Sequence, residues 1–254
     1  MSRIPQLFSM RSEKVIPFLT AGYPHKSHTV KMVLVAENSG ASMVELGMPF
    51  SDPLADGPAI QRASQVAIEN GVNIKWILET VKEIRASSEV PLVLMGYINP
   101  IIKYGLVKFM KDCQMAGVDG LIIPDLPPEE AEKFVHLARE NKISPILLVA
   151  PNTSSARIKI ISDLARDLIY CVAILGITGS SENDMGNLVS YLERVEENSS
   201  CPFIVGFGIK TRNHVKEINQ LAHGAVAGSA IINAMDGSAS PVDTVKNYIE
   251  KLVK

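Results

Sequence analysis

Apolar residues along this chain alternate between two rhythms: short unbroken runs closed by glycine or proline, and longer stretches where they return every third or fourth position. The first run, residues 15–20, ends at the turn-forming cluster Ala21-Gly22-Tyr23-Pro24, and a helix over 28–39 stops at Gly40. A second run surrounds Glu45, and a helix over 58–70 follows with Pro58 at its head. Within 73–86, Ile74, Ile77, Leu78, Val81 and Ile84 share one helical face, while Trp76 lies off that stripe as a boundary residue. Strands follow at 91–97 and 120–124. A helix over 105–116 between them carries Leu106, Phe109, Met110 and Cys113 on one side. The segment 125–130, with two prolines and three acids, reads as the start of the next helix. A fifth strand spans 145–149, and Thr153 or Ser154 caps a helix over 155–166 on Ile158, Ile161 and Ala165. Strands at 168–173, 202–205 and 225–227 complete the set. They are followed by helices over 184–196 and 211–222, a small helix after Gly228-Ser229, and a last helix over 242–253; residues 2–10 form a short helical lead-in.

Eight strand-then-helix units with mostly apolar strands specify a parallel sheet covered on its outer side. At 254 residues a closed (β/α)8 TIM barrel is the economical arrangement, and the whole chain reads as one such domain. A doubly wound open sheet is the runner-up. It needs fewer units and places its glycine-rich turn after the first strand, where this chain has a single glycine.

Composition removes several functions. Net charge is −2, with acids and bases intermixed and no basic stripe, which argues against nucleic acid and against an anionic membrane surface. No apolar run approaches the roughly 20 residues of a bilayer span, and the N-terminus lacks the apolar core of a signal peptide. Cys113, Cys171 and Cys201 are odd in number and widely spaced, as packed, reduced thiols of a cytoplasmic protein would be. The five histidines, most of them read as surface residues, show no ligand spacing, so no metal site is expected. No lysine interrupts an apolar strand, which leaves a Schiff-base mechanism without a nucleophile.

The chemistry concentrates at 43–58. Glu45 alternates with Val44 and Leu46 and therefore faces away from them. A solvated edge strand would explain a lone glutamate, but here a loop with Asp52 and Asp56 follows directly. In a barrel these acids, together with Asp125, share the C-terminal rim where activity resides. Glu45 in the mouth would be desolvated and its pKa raised toward neutrality, whereas Asp56 on its loop would be more solvated and stay ionised. Of Tyr170 and Cys171 on the sixth strand, Tyr170 is the one expected inside, its hydroxyl within reach of a carboxylate. Gly176-Ile177-Thr178-Gly179, Gly206-Phe207-Gly208 and Gly228-Ser229 end the last three strands. Each glycine alone would be a turn; three such segments at consecutive strand ends, with Ser229 opening a helix, favour a phosphate site of backbone N–H groups.

The stretch 45–58, Glu-Leu-Gly-Met-Pro-Phe-Ser-Asp-Pro-Leu-Ala-Asp-Gly-Pro, resembles the signature of the tryptophan synthase alpha chain family. The resemblance continues in order through 18–24, 95–100, 125–127, 176–179, 206–209 and 228–231. It implies a (β/α)8 barrel that cleaves indole-3-glycerol phosphate to indole and glyceraldehyde 3-phosphate. It further implies Glu45 as acid/base, Asp56 as the group that stabilises positive charge at the indole N–H, and Tyr170 and Thr178 as supports for that aspartate. By the same resemblance the phosphate lies on Gly179, Gly208, Gly228 and Ser229, beside Gly206, and Phe18, Met95 and Phe207 line the pocket. The alpha chain itself would bind no cofactor. A beta chain holding pyridoxal phosphate would receive the indole in an alpha2-beta2 assembly, contacted around Asp52, Pro53, Asn99 and Pro100. Ala173-Ile174-Leu175 departs from the family, which is usually more polar there. The remaining alternatives are another phosphate-binding barrel, such as an epimerase or isomerase, and a silent alpha chain retained as an activator.

Overall fold

The computed structural model describes residues 2–173, 182–206 and 208–254, with 182–185 described in backbone only. Eight parallel strands close into a barrel in sequence order: β1 (Val15–Thr20), β2 (Val44–Gly47), β3 (Leu92–Met95), β4 (Gly120–Ile122), β5 (Ser144–Val149), β6 (Ile169–Val172), β7 (Phe203–Gly206) and β8 (Ala225–Ala227), with β8 pairing back to β1. The open-sheet alternative is thereby excluded. Apolar runs without polar alternation are what a sheet buried on both faces requires, and nearly every strand residue is buried.

Helices α1 (Ile4–Leu7), α2 (Thr29–Asn38), α3 (Pro58–Glu69), α4 (Ile74–Arg85), α5 (Ile98–Tyr104), α6 (Leu106–Ala116), α7 (Glu132–Glu140), α8 (Ser155–Ala165), α9 (Glu182–Asn198), α10 (Arg212–Leu221), α11 (Ser229–Met235) and α12 (Pro241–Val253) accompany the strands. Their apolar stripes turn inward: Ile77, Leu78, Val81 and Ile84 on α4, and Val245, Ile249 and Leu252 on α12. Ser154, not Thr153, caps α8 by accepting from the Arg157 N–H, while Thr153 closes the preceding turn on Ala150. Trp76 is half-buried at the edge of its stripe, under the Lys26 ammonium at 5.0 Å.

The lead-in helix plugs the N-terminal end of the barrel. Ile4 is fully buried against Gly120, where a Cβ would lie 2.7 Å from its Cδ1. Below it Asp119 gathers the Leu92 N–H at 2.9 Å, the Arg85 guanidinium at 2.6 Å and Arg3 at 3.0 Å. This end is closed and tied, so the opening is at the other.

Two elements differ from the expectation. The segment 125–130 does not start a helix; α7 begins at Glu132, and 127–131 form successive turns. Leu126 and Pro127 each precede a proline, which disfavours helical backbone at both. In addition, α5 occupies 98–104, a helix the hydrophobic pattern does not indicate. Proline is tolerated there because its missing N–H falls in the helix's first turn.

Candidate active site at the open end of the barrel

The strand register decides what faces inward. Phe18 pairs with Glu45 and Glu45 with Val93; one pleat further along, Thr20, Gly47 and Met95 stand in line. On the opposite wall Tyr170 pairs with Leu148 and Ile204. Paired residues share a face, so Phe18, Glu45 and Tyr170 all project into the barrel. Cys171 takes the other side, toward Tyr191 of α9. The tight contacts agree: the Phe18 ring lies 2.4 Å from where a Gly47 Cβ would stand, and the Tyr170 hydroxyl lies 2.1 Å from where a Gly206 Cβ would stand.

Glu45 is fully buried, and among the described residues neither carboxylate oxygen has a hydrogen-bond partner. Burial without compensation disfavours the ionised form and pushes its pKa up to about 8. Tyr170, equally enclosed, is raised well above the usual phenol range by burial, with the charge of Glu45 a second cause. Its hydroxyl is not bonded to the Glu45 carboxylate; the two interact through charge alone.

Asp56 lies on the loop between β2 and α3 and is half-buried, more enclosed than its loop position suggested. Burial raises its pKa, and a hydrogen bond from the Tyr97 hydroxyl opposes the rise by stabilising the anion. The expectation of a well-solvated Asp56 is corrected to that extent. Tyr97 is the residue the sequence reading passed over. Its hydroxyl accepts the Ala55 N–H at 3.0 Å while donating to Asp56, and its ring stacks on Phe50 at 5.3 Å. The motif containing Tyr97 was visible, but nothing in spacing tells which side chain of β3's exit loop reaches back to the loop after β2.

Beneath that loop Phe18, Gly47, Asp56, Met95, Gly96 and Tyr97 are among the residues that line a pocket of about 10 Å³, room for roughly one water. Asp125 serves a different end from the rim acids: its carboxylate accepts the Ile98 N–H at 3.0 Å and so caps α5.

Across the opening, Gly228 and Ser229 start α11, and Gly208 adopts φ +58° with open space where a side chain would be. Thr178, Gly179 and Phe207 lie outside the described residues. Among the described residues no cluster of three metal-ligating side chains occurs. His28, His214 and His223 are half-buried, so fewer histidines are superficial than the sequence suggested. His223 packs edge-on against Phe203 at 5.2 Å.

The sequence matches the family profile "Tryptophan synthase alpha chain" over residues 5–253. The tryptophan synthase alpha chain of Petrotoga mobilis is 42% identical over 254 residues, 100% of this chain and 98% of its own. That of Prosthecochloris aestuarii is 44% identical over 249 residues, 94% and 93% respectively. This chain belongs to the tryptophan synthase alpha chain family. Solved structures agree. Tryptophan synthase subunit alpha from Legionella pneumophila superposes with TM-score 0.91 at 32% identity, covering 99% of this chain and 97% of that one. A chain of the tryptophan synthase a2b2 complex from Pyrococcus furiosus gives 0.88 at 35%, covering 96% and 98%.

As a tryptophan synthase alpha chain this is a carbon–carbon lyase. The residues matched to its partner contact are on the surface: Asp52 and Asn99 are exposed, and Pro53 and Pro100 half-exposed. Leu54, which follows Pro53, is 92% exposed and Ile102 on α5 is 60% exposed. Neither apolar side chain stands out from the sequence pattern, because exposure depends on how the loop and α5 sit on the barrel.

Proposed function

We propose that Glu45 and Asp56 carry the alpha reaction of tryptophan synthase in this chain, the retro-aldol cleavage of indole-3-glycerol phosphate to indole and glyceraldehyde 3-phosphate. The observation that carries this reading is Glu45 itself: a buried carboxyl without a partner among the described residues, held near pKa 8, at the open end of a closed barrel. At neutral pH it is protonated and delivers its proton to indole C3. Positive charge then develops at the indole nitrogen, where the Asp56 carboxylate stabilises it. The resulting Glu45 carboxylate takes the proton of the adjacent glycerol hydroxyl. The O–H electrons become the aldehyde C=O, and the pair of the broken carbon–carbon bond restores the aromatic ring. Glu45 ends protonated, as it began.

Tyr170 and Thr178 support this pair, with Tyr97 holding Asp56 from the neighbouring loop. The phosphate rests on backbone N–H groups of Gly179, Gly208, Gly228 and Ser229, with Gly206 kept bare for the Tyr170 hydroxyl, and Phe18, Met95 and Phe207 line the indole pocket. No cofactor of this chain's own enters any step. Residues 1–254 act as one barrel domain in the cytoplasm, consistent with three buried free cysteines and with no helix among the described residues long and apolar enough to cross a membrane. Indole passes to a beta chain that holds pyridoxal phosphate, docked over Asp52, Pro53, Asn99 and Pro100 in an alpha2-beta2 assembly. An indole-release assay on indole-3-glycerol phosphate, with and without a beta chain, tests the reading. Release that rises with the beta chain is expected; a chain that activates the beta reaction but releases no indole would be an activator only.

A further inference from the structure

Thr20 ends β1, two residues beyond Phe18 and therefore on the same inward side of the strand. It is 1% exposed, and among the described residues its hydroxyl has no hydrogen-bond partner. A buried hydroxyl without a partner is destabilising, and native folds hold few of them. The only other inward-facing strand residue whose buried oxygens are so placed, among the described residues, is Glu45. The two are neighbours: Phe18 pairs with Glu45, and Thr20 pairs with Gly47, which offers no side chain to occupy the hydroxyl.

Position along the wall adds direction. β1 is hydrogen-bonded to β2, which carries Glu45, and to β8, which leads into Gly228 and Ser229. Thr20 thus stands on the strand between the acid and the proposed anion cradle. In indole-3-glycerol phosphate the group joining the reacting carbon to the phosphate-bearing carbon is C2′ with its hydroxyl. The C3′ hydroxyl is the one Glu45 deprotonates, which leaves the C2′ hydroxyl for the strand between.

We propose that Thr20 is a substrate-binding residue of this site, its hydroxyl hydrogen-bonded to the C2′ hydroxyl of the glycerol chain. This rests on the reading of the site given above. No bond to Thr20 forms or breaks. The contact exists in the ground state as in the transition state, so its loss raises KM more than it lowers kcat.

The test compares wild type, Thr20→Val and Thr20→Ser in kcat and KM for indole-3-glycerol phosphate. It also measures inhibition by indole-3-propanol phosphate, which keeps the ring and phosphate but lacks both hydroxyls. Valine matches threonine in shape and removes only the hydroxyl. Thr20→Val should lower kcat/KM about five- to tenfold, mostly through KM, with Thr20→Ser restoring most of it. The inhibition constant of the propanol phosphate should stay within about twofold in all three, which also shows the variants folded. Unchanged kcat/KM in Thr20→Val overturns the proposal, and so does inhibitor affinity that falls in parallel with substrate affinity, the mark of a packing role. Wild type releasing no indole would instead overturn the site reading itself, so the two failures are distinguishable.

Discussion

Glu45 is exceptional because nothing around it repays the cost of its charge. Its folded pKa, about 8, stands above the ordinary value of 4.5, so between those values the unfolded chain has released a proton that the folded chain still holds. Stability tied to this group is therefore fully present below pH 4.5 and is lost as pH rises toward 8. Glu45→Gln, which cannot ionise, should be no less stable than wild type at pH 5 and more stable at pH 8.5, by up to a few kcal/mol. Denaturant midpoints of both proteins at the two pH values check this; parallel midpoints would mean Glu45 is not held protonated. The same titration should give kcat/KM a basic limb with an apparent pKa near 8, because the proposed first step needs the acid form. Asp56→Asn should lower turnover at least about a hundredfold, the usual cost of a lost electrostatic stabiliser, while Tyr97→Phe should lower it less, since the aspartate remains. Equal losses in the two variants would place Tyr97 in the chemistry itself. These roles were legible in unequal measure. Glu45 and Asp56 stood out as acids in an apolar strand and a proline-rich loop, but the enclosure of Asp56 and the grip of Tyr97 depend on two loops meeting, which no local pattern encodes.

At the scale of elements, the strands were readable because a doubly covered parallel sheet demands unbroken apolar runs, and all eight appear within a few residues of where those runs lie. Helices 98–104 and 132–140 were harder. Pro100 lies in the first turn of α5 and Pro127-Pro128 precede α7, so their effect depends on the turn each occupies, and α5 starts on a cap supplied from another loop by Asp125. Fixing the strands also fixes the glycines that face inward. At Gly206 a methyl group would stand 2.1 Å from the Tyr170 hydroxyl, so Gly206→Ala must push the ring toward Glu45 or out of the mouth. That variant should fold yet lose most of its indole release, measurable as turnover against circular dichroism; full activity would show the tyrosine free to move aside. At the closed end, Asp119→Ala removes the counter-charge of the half-buried Arg85 and the acceptor of the buried Leu92 N–H together. It should cost about 3–5 kcal/mol in unfolding free energy, with KM of the folded enzyme unchanged because the active end is on the opposite face.

Over the whole molecule, one end of the barrel is plugged by Ile4 and tied by Asp119, while the other carries the acid, the glycine-bearing strand ends and an exposed apolar rim. The loop that carries Asp56 also covers a small pocket lined by Phe18, Met95 and Tyr97. That loop presents Leu54 and Asp52 outward, so under the proposed function a partner docked there bears on the position of Asp56. Leu54→Asp should weaken beta-chain binding about tenfold or more and reduce the activation that partner confers, while leaving indole release by the isolated chain within about twofold. Titration calorimetry with a beta chain reads the first effect, and unchanged affinity would move the interface elsewhere. The role proposed for the carboxyl of Glu45 is tested most directly by single-turnover indole release from indole-3-glycerol phosphate in wild type and Glu45→Gln. The prediction is release in the first and none above background in the second, with indole-3-propanol phosphate bound equally by both. Glu45→Gln releasing indole at the wild-type rate would contradict it.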